Sequence, residues 1–573
     1  MSKNIGTPTG GSDTEKILLV LLPFWTSLIP PMGISCLKVY LQQHGYPVKT
    51  VDANIQNEFK EIYDYYLETL KKFIPEDKRG NFYNIAQDVL YKQMMARFNH
   101  EDEKKYIQLV KLLVGKTFFC QIHEPQVNQL DKLVAAFYKR LEEYFIHLLE
   151  QEKPTVLGLS VYSATVPASL FAFKLTKKRY PHIKTLMGGG IFAGDLDTRS
   201  PAFEFFLAKT PYIDKIIVGE GEKLLLKYLQ KELPQSQRVY TLTDIDGQTL
   251  DLGKAVPPDF SDFELRYYPN MADYTSRGCH YNCRFCAEKV LWGRYRSKDP
   301  DQVVEELIKL YHLYGRQLFL MSDSLLNPVI SALANALLES HISIYWDGYL
   351  RANKEVCDPE NTLLWRRGGF YRARLGVESG SAQVLEAMGK KIMPDQMKTA
   401  VASLAHAGIK TTTYWVIGYP GETEKDFQQT LEMLEELKDD IYEADCNPFN
   451  YFLTGQVNSD QWAKENRSVL LYPESTRDML VFPTWVLEGE PSRKEMFQRL
   501  NRFVRYCRHL GIPNPYTLNE IYQADERWKK LHKNAVPSLV EFEEGGNYID
   551  ENKKIKKIVF GKKIKADEGD WGF

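Results

Sequence analysis

The segment SRGCHYNCRFCAEKVLWG, residues 276–293, sets Cys279, Cys283 and Cys286 in a CxxxCxxC spacing. Three thiolates on one loop can ligate three irons of a cubane iron–sulfur cluster. The fourth iron then has no cysteine, unlike the complete four-cysteine sites of electron-transfer ferredoxins. An open iron can bind a substrate, as the open position of a catalytic zinc does. Phe285, directly before the third cysteine, adds apolar surroundings of the kind that tune a cluster's potential. The competing reading is a structural zinc knuckle completed by a distant fourth ligand.

The other five of the eight cysteines, Cys36, Cys120, Cys357, Cys446 and Cys507, are scattered singly. A large chain with no secretory pattern is not a disulfide scaffold, so the clustered three call for metal or redox chemistry. The 573 residues suffice for about three or four domains of roughly 100–200 residues each. Hydrophobic residues at 44% and charged residues at 26% are ordinary for a globular protein, and the net charge of −2 gives no basic field that would indicate nucleic acid. The polar stretch MSKNIGTPTGGSDTEK lacks a charged-then-apolar secretory pattern. The apolar run Ile17–Leu22 falls far short of the roughly 18 residues of a membrane span. The expectation is a cytoplasmic protein with a disordered leader over residues 1–15 and no membrane span.

The elements that must hold the cysteines follow an α/β rhythm. KILLVLLP reads as a strand buried on both faces, PPMGISCLKVYLQQHGY as a helix and PVKTVDANI as a second strand. Residues 56–150 interrupt with long charged stretches at helical spacing and read as a helical insertion. The rhythm resumes with strands in TVLGLSVYS, IKTLMGGGIFAG and IDKIIVGEGEKLLLKYL, so residues 16–235 form a doubly wound, Rossmann-like domain. Residues 236–268, rich in turn residues and prolines, read as a linker. From 269 to 450 strands at QLFLMSD, ISIYWDGYL, YRARLGVES and KTTTYWVIG alternate with helices. This points to a full or partial β/α barrel whose site lies at the C-terminal strand ends. Asp299 with Pro300 starts one of these helices, and Thr423 with Asp426 caps another. Residues 451–573 form a mixed, mainly helical C-terminal region whose aromatic stretches NPFNYFLTG and VFPTWVLEG suit either an active-site wall or ordinary core.

With an aromatic before its third cysteine, the triad resembles that of the radical S-adenosylmethionine (SAM) superfamily. The resemblance implies that SAM chelates the fourth iron of a [4Fe–4S] cluster and is cleaved to a 5′-deoxyadenosyl radical. GVESGSAQVLEAMGK resembles the family's motif beside the nucleoside, which implies Glu378 or Ser379 as a ribose or methionine contact. WVIGYPGET resembles the strand whose backbone meets adenine, at Gly418. MSDSLLN resembles the segment near the methionine amino group, implying Ser322 or Asp323, and Arg351 is placed to pair with the methionine carboxylate.

Residues 16–235 resemble the cobalamin-binding domain that precedes the barrel in one branch of this superfamily, the class B methyltransferases. Parallel sheets bind nucleotide-like ligands at their strand C-termini. The resemblance therefore implies a slot for cobalamin's nucleotide tail lined by Ser160, Ser163 and Thr165, by Gly188, Gly189 and Gly190, and by Gly219 and Glu220. The DxHxxG motif that supplies cobalt's lower ligand elsewhere is absent, PFWTSLIPPMG standing in its place. The function implied is methylation of an unactivated carbon of a natural-product or peptide substrate. An electron donor such as flavodoxin or ferredoxin would serve as partner. A cobalamin-assisted rearrangement, cyclisation or ring contraction, and a non-catalytic cobalamin or cluster sensor, remain as alternatives.

Overall fold

The computed structural model describes residues 15–24, 28–194, 196–453 and 467–532. The expected leader, almost all of it, and the lysine-rich tail lie outside these residues.

Two parallel six-stranded sheets organise the chain. The first contains β1 (Ile17–Leu21), β2 (Val48–Asp52), β3 (Val156–Ser160), β4 (Lys184–Gly188), β5 (Lys215–Val218) and β6 (Val239–Thr241), in the order β2-β1-β3-β4-β5-β6. Every residue of β1 is buried, which explains its unbroken apolar sequence ILLVL: helices cover both faces. The order reverses between β1 and β3, so the loops leaving these two strands diverge and open a crevice at their C-terminal ends. Strand β6 pairs in parallel with β5 and so carries the first sheet into the segment read as a linker.

Four long helices, Asn57–Phe73, Phe82–Asn99, Glu103–Phe118 and Glu124–Glu152, fill the interval between β2 and β3. Their core is aromatic, with Phe59, Tyr63 and Phe137 in ring contact.

The second sheet contains β7 (Met271–Asp273) and, after a short antiparallel ribbon of β8 (Ser276–Arg277) and β9 (Arg296–Ser297), β10 (Leu318–Met321), β11 (Tyr345–Arg351), β12 (Phe370–Glu378), β13 (Lys410–Ile417) and β14 (Glu443–Pro448). Its order, β14-β13-β12-β11-β10-β7, leaves β7 and β14 as separate edges, so the barrel is partial. The two sequence-read caps form. Asp299 accepts from the Asp301 N–H at 2.9 Å, and Thr423 and Asp426 make a reciprocal capping box. A second ribbon, β15 (Arg467–Leu470) with β16 (Trp485–Glu488), precedes the helix Arg493–Leu510, which packs along β13 and β14. No described helix is long and apolar enough to cross a membrane.

Candidate active site

The cysteine loop is the connection of the β8–β9 ribbon, and its two ends are fastened by buried charge. Gly278 opens it at φ +86°, where a Cβ would meet the Arg294 carbonyl oxygen at 2.9 Å. Beneath it the Asp323 carboxylate accepts from the Thr275 N–H at 3.0 Å and from the Thr275 and Ser276 hydroxyls. Burial pushes the Asp323 carboxyl up to about 6, against the pull of the Ser276 and Thr275 hydrogen bonds. Lys298, just past β9, bridges Glu306 and Asp273 with its ammonium over the Tyr274 ring at 3.7 Å.

Within the loop, the Cys286 N–H donates to the Cys283 carbonyl at 3.2 Å, and the Arg284 N–H reaches the Met388 carbonyl at 2.8 Å. Cys283 is buried, and Cys279 and Cys286 are partly exposed. Burial raises both the Cys279 and Cys286 thiols, the latter to about 12, and each of the two feels the charge of Cys283. Arg351, at the end of β11, points its Nη1 at Cys283 Sγ (3.5 Å) with its guanidinium 3.9 Å from the Tyr281 ring. Phe285 packs with Val384, Met388 and Tyr419 in an apolar patch beside the triad.

The downstream candidates divide. Arg351 and Glu378 reach the cysteine loop's surroundings. Glu378, at φ +68°, holds Lys390 at 2.6 Å, and Lys390 in turn lies 5.8 Å from the Phe285 ring. Ser322 is exposed at the end of β10, its N–H bonded to the Asp273 carbonyl. Asp323, in contrast, is spent on tying β8 to β10, and Ser379 faces Thr430 and accepts from the Ser381 N–H at 3.1 Å. Gly418 is pinned by packing, because at φ +76° its Cβ would meet Met496 Cγ at 2.2 Å.

On the first sheet, Ser160 and Gly188 are register partners at the strand ends. Gly189, at φ +112°, admits no side chain, since a Cβ would lie 2.5 Å from both Val161 N and O. Gly190 approaches the Tyr162 ring, and the helix Glu288–Trp292 of the cysteine loop packs against the turn Gly190–Ala193. Thr165 closes its own turn, accepting from the Tyr162 N–H at 3.0 Å. Gly219 turns at φ +100°, but Glu220 is committed elsewhere. It pairs with Arg296 at 2.6 Å and Arg277 at 3.1 Å, and accepts from the Leu250 N–H. Burial raises Glu220, yet Arg296 and Arg277 together bring it below the usual carboxylate range. Arg277 also holds Glu222 at 2.7 Å. Thus the loop after β5 is ion-paired to the residue two positions before Cys279. Nothing in the run SRGC signals this role for Arg277, because its partners lie more than 50 positions upstream.

A cavity of about 1020 Å³ joins these parts. Ser163 and Gly194 from the first sheet line it, as do Arg284 and Phe285 from the cysteine loop and Gly418 and Tyr419 from β13's turn. The insertion helix Phe82–Asn99 and both aromatic C-terminal stretches complete its walls.

Residues 274–434 match the Radical SAM superfamily. The chain therefore carries a Radical SAM domain. Among curated proteins it is 24% identical over 325 residues to the anaerobic magnesium-protoporphyrin IX monomethyl ester cyclase of Rubrivivax gelatinosus, covering 50% of this chain and 55% of that one. It is 24% identical over 312 residues to an uncharacterised methyltransferase of Pyrococcus horikoshii, covering 51% and 66%. The chain thus spans about half the length of such curated cyclases. Among solved structures, the radical SAM methyltransferase TsrM of Kitasatospora setae, with tryptophan and a SAM analogue bound, superposes with a TM-score of 0.59 at 13% identity, covering 95% of this chain and 99% of that one. The likeness extends the shared fold across both sheets.

A radical SAM domain implies a [4Fe–4S] cluster and SAM, and the donor set of this chain fits the cluster. Among the described residues no three His, Cys, Asp or Glu side chains converge on a single-ion site, the triad included. One tetrahedral zinc needs its ligands within about 2.3 Å of one point. A cubane spreads three thiolates over three irons, which suits three free cysteines carried on one loop. Metal binding takes the thiolate form, so the raised thiols couple cluster assembly to proton release.

Proposed function

We propose that this radical SAM enzyme binds cobalamin at the C-terminal ends of β3 and β4 and methylates an unactivated carbon of a natural-product or peptide substrate. The observation that supports this most is the shared cavity, which is lined from both sheets and from the cysteine loop. Bound there, the cluster with SAM supplies a hydrogen-abstracting radical and cobalamin supplies a transferable methyl group.

The protein's own residues position and shield. Cys279, Cys283 and Cys286 hold the cluster, and Arg351 presents a fixed cation beside Cys283 for the SAM carboxylate. Glu378 and the backbone at Gly418 face the nucleoside. Ser160, Ser163 and the close-packed backbone of Gly188–Gly190 hold cobalamin's nucleotide tail beside the switch point of the first sheet. The apolar patch of Val384, Met388 and Tyr419 keeps water from the reacting carbon.

The test is anaerobic reconstitution with iron, sulfide and hydroxocobalamin, then mass spectrometry with candidate substrates and a reductant. Retention of cobalamin through gel filtration, with S-adenosylhomocysteine, 5′-deoxyadenosine and a methylated product, is expected. A chain that takes up the cluster but never cobalamin overturns the reading. The similarity to a curated cyclase favours a second reading, cyclisation or rearrangement without methyl transfer. Deoxyadenosine with an unmethylated, altered product would select it.

A further inference from the structure

The wall of the cavity built by the insertion and the C-terminal region carries polar groups that the proposed chemistry leaves unused. The helix Arg493–Leu510 begins there, with Pro491, Arg493, Met496 and Phe497 lining the cavity. An 18-residue helix presents unpaired N–H groups and a partial positive charge at its start, and Ser492 caps only the Glu495 N–H.

Arg493 adds a full charge. Its Nη1 donates to the Lys116 carbonyl, and its guanidinium lies 4.8 Å from the Phe497 ring. A guanidinium has five N–H donors, so one carbonyl leaves most of them unspent. Among the described residues no carboxylate lies within ion-pair distance of Arg493. Asp88 on the same wall is paired with Lys92, Glu488 with Arg467, and Glu490 accepts from the Ser492 N–H at 3.0 Å.

The second, independent observation is Thr117. It lines the cavity at 2% exposure, and its Oγ1 has no hydrogen-bond partner. The Tyr472 hydroxyl is also buried and faces Thr117 without closing a well-formed hydrogen bond to it. Even turned toward each other, two hydroxyls carry two protons and can use only one between them. Burying such a donor unpaired is costly, and a ligand oxygen recovers that cost.

We propose that Arg493 and Thr117, with Tyr472 supporting Thr117, form an anion-binding subsite that takes a carboxylate or phosphate group carried by the substrate. This rests on the cavity being the reaction chamber and names the chemical class its occupant must contain. The subsite belongs to the insertion and the C-terminal region, so it selects substrates without touching either cofactor slot.

The test is calorimetric titration of the cluster-reconstituted full chain with inorganic phosphate and, separately, with acetate. Binding of at least one anion is expected. Arg493→Gln should weaken it about tenfold, Arg493→Lys less because charge persists without the fork, and Thr117→Val about threefold. Failure of both anions to bind, or unchanged binding in Arg493→Gln, overturns the proposal. Should Arg493→Gln not fold, Arg493→Lys and Thr117→Val decide in the same way. Repeating the titration after loading cobalamin separates the two sources of an anion. Binding that survives loading assigns the subsite to substrate, and binding lost on loading refutes that assignment in favour of the cofactor's own phosphate. A chain that takes up no cobalamin would sink the methyl-transfer reading while leaving the phosphate and acetate results standing.

Discussion

The two sheets contain equal numbers of parallel strands, yet they bury their residues differently. In the first, the reversal between β1 and β3 puts helices on both faces, and β1 is apolar throughout and β3 up to its last residue, Ser160. In the second the order runs in one direction only, so right-handed crossovers place every helix on the same side. The outer face of β11–β13 is then apolar (Trp346, Leu375, Trp415), while the inner face carries Asp347, Arg372, Arg374 and Tyr414. Arg374 holds Asp347 at 2.8 Å, and Arg372 holds Glu443 and Thr412. One topology makes a shelf with a crevice at its edge, and the other makes a polar bore with a mouth.

This contrast can be broken or sharpened experimentally. The largest effect should come from replacing Cys279, Cys283 and Cys286 together by alanine. The iron–sulfur absorbance and deoxyadenosine formation should vanish, while cobalamin uptake by the first sheet continues; retained deoxyadenosine formation would refute the cluster assignment. Next, Arg374→Ala strands Asp347 in the bore and should cost about 3–5 kcal/mol in denaturant unfolding. Leu19→Ala in the first sheet should cost about 2–5 kcal/mol through a cavity instead. The double change Asp347→Leu with Arg374→Met should restore most of the stability in the bore, where no second substitution can refill the Leu19 site so simply; a double variant no more stable than Arg374→Ala would mean that the polar pair itself shapes the barrel.

Arg277→Gln removes one of the two arginine ties between the sheets, Arg296 keeping its hold on Glu220, and leaves Glu222 buried without its cation. A loss of about 3 kcal/mol is expected, with product formed per deoxyadenosine falling while cluster content holds. Equal product yield would show that the tie is not needed for alignment. The smallest effect concerns Asp323, whose carboxyl stands at about 6 in the fold against an ordinary value of 3.8. The folded chain therefore holds a proton that the unfolded chain has lost, so this group makes stability fall as pH rises from about 4 to about 6, by up to about 3 kcal/mol. Asp323→Asn should flatten that slope in chemical denaturation curves, and an unchanged slope would show that another group produces it.

Much of this architecture was legible in the residues themselves. ILLVL could only be a strand covered on both sides, CxxxCxxC announced an open cluster, and Thr423 with Asp426 marked a helix start. Strand β14, EADCNP, escaped because its polar residues face the bore, and a sequence pattern cannot tell a lined bore from a loop. Strand β6 escaped because three residues at a sheet edge leave little periodicity. Glu220 and Asp323 were placed at the right strand ends but with other tasks. Both carboxylates are consumed by ion pairs or hydrogen bonds from residues distant in the chain, and such pairings exist only once the fold has formed. The aromatic C-terminal stretches fit wall or core equally, and only their convergence on the cavity decides.

The four-helix insertion leaves the first sheet after its edge strand β2 and rejoins at β3. A segment grafted at an edge can be lengthened, shortened or exchanged without breaking a single ladder between strands. The strand scaffold can thereby stay fixed while the wall that the insertion gives the cavity varies in length and lining.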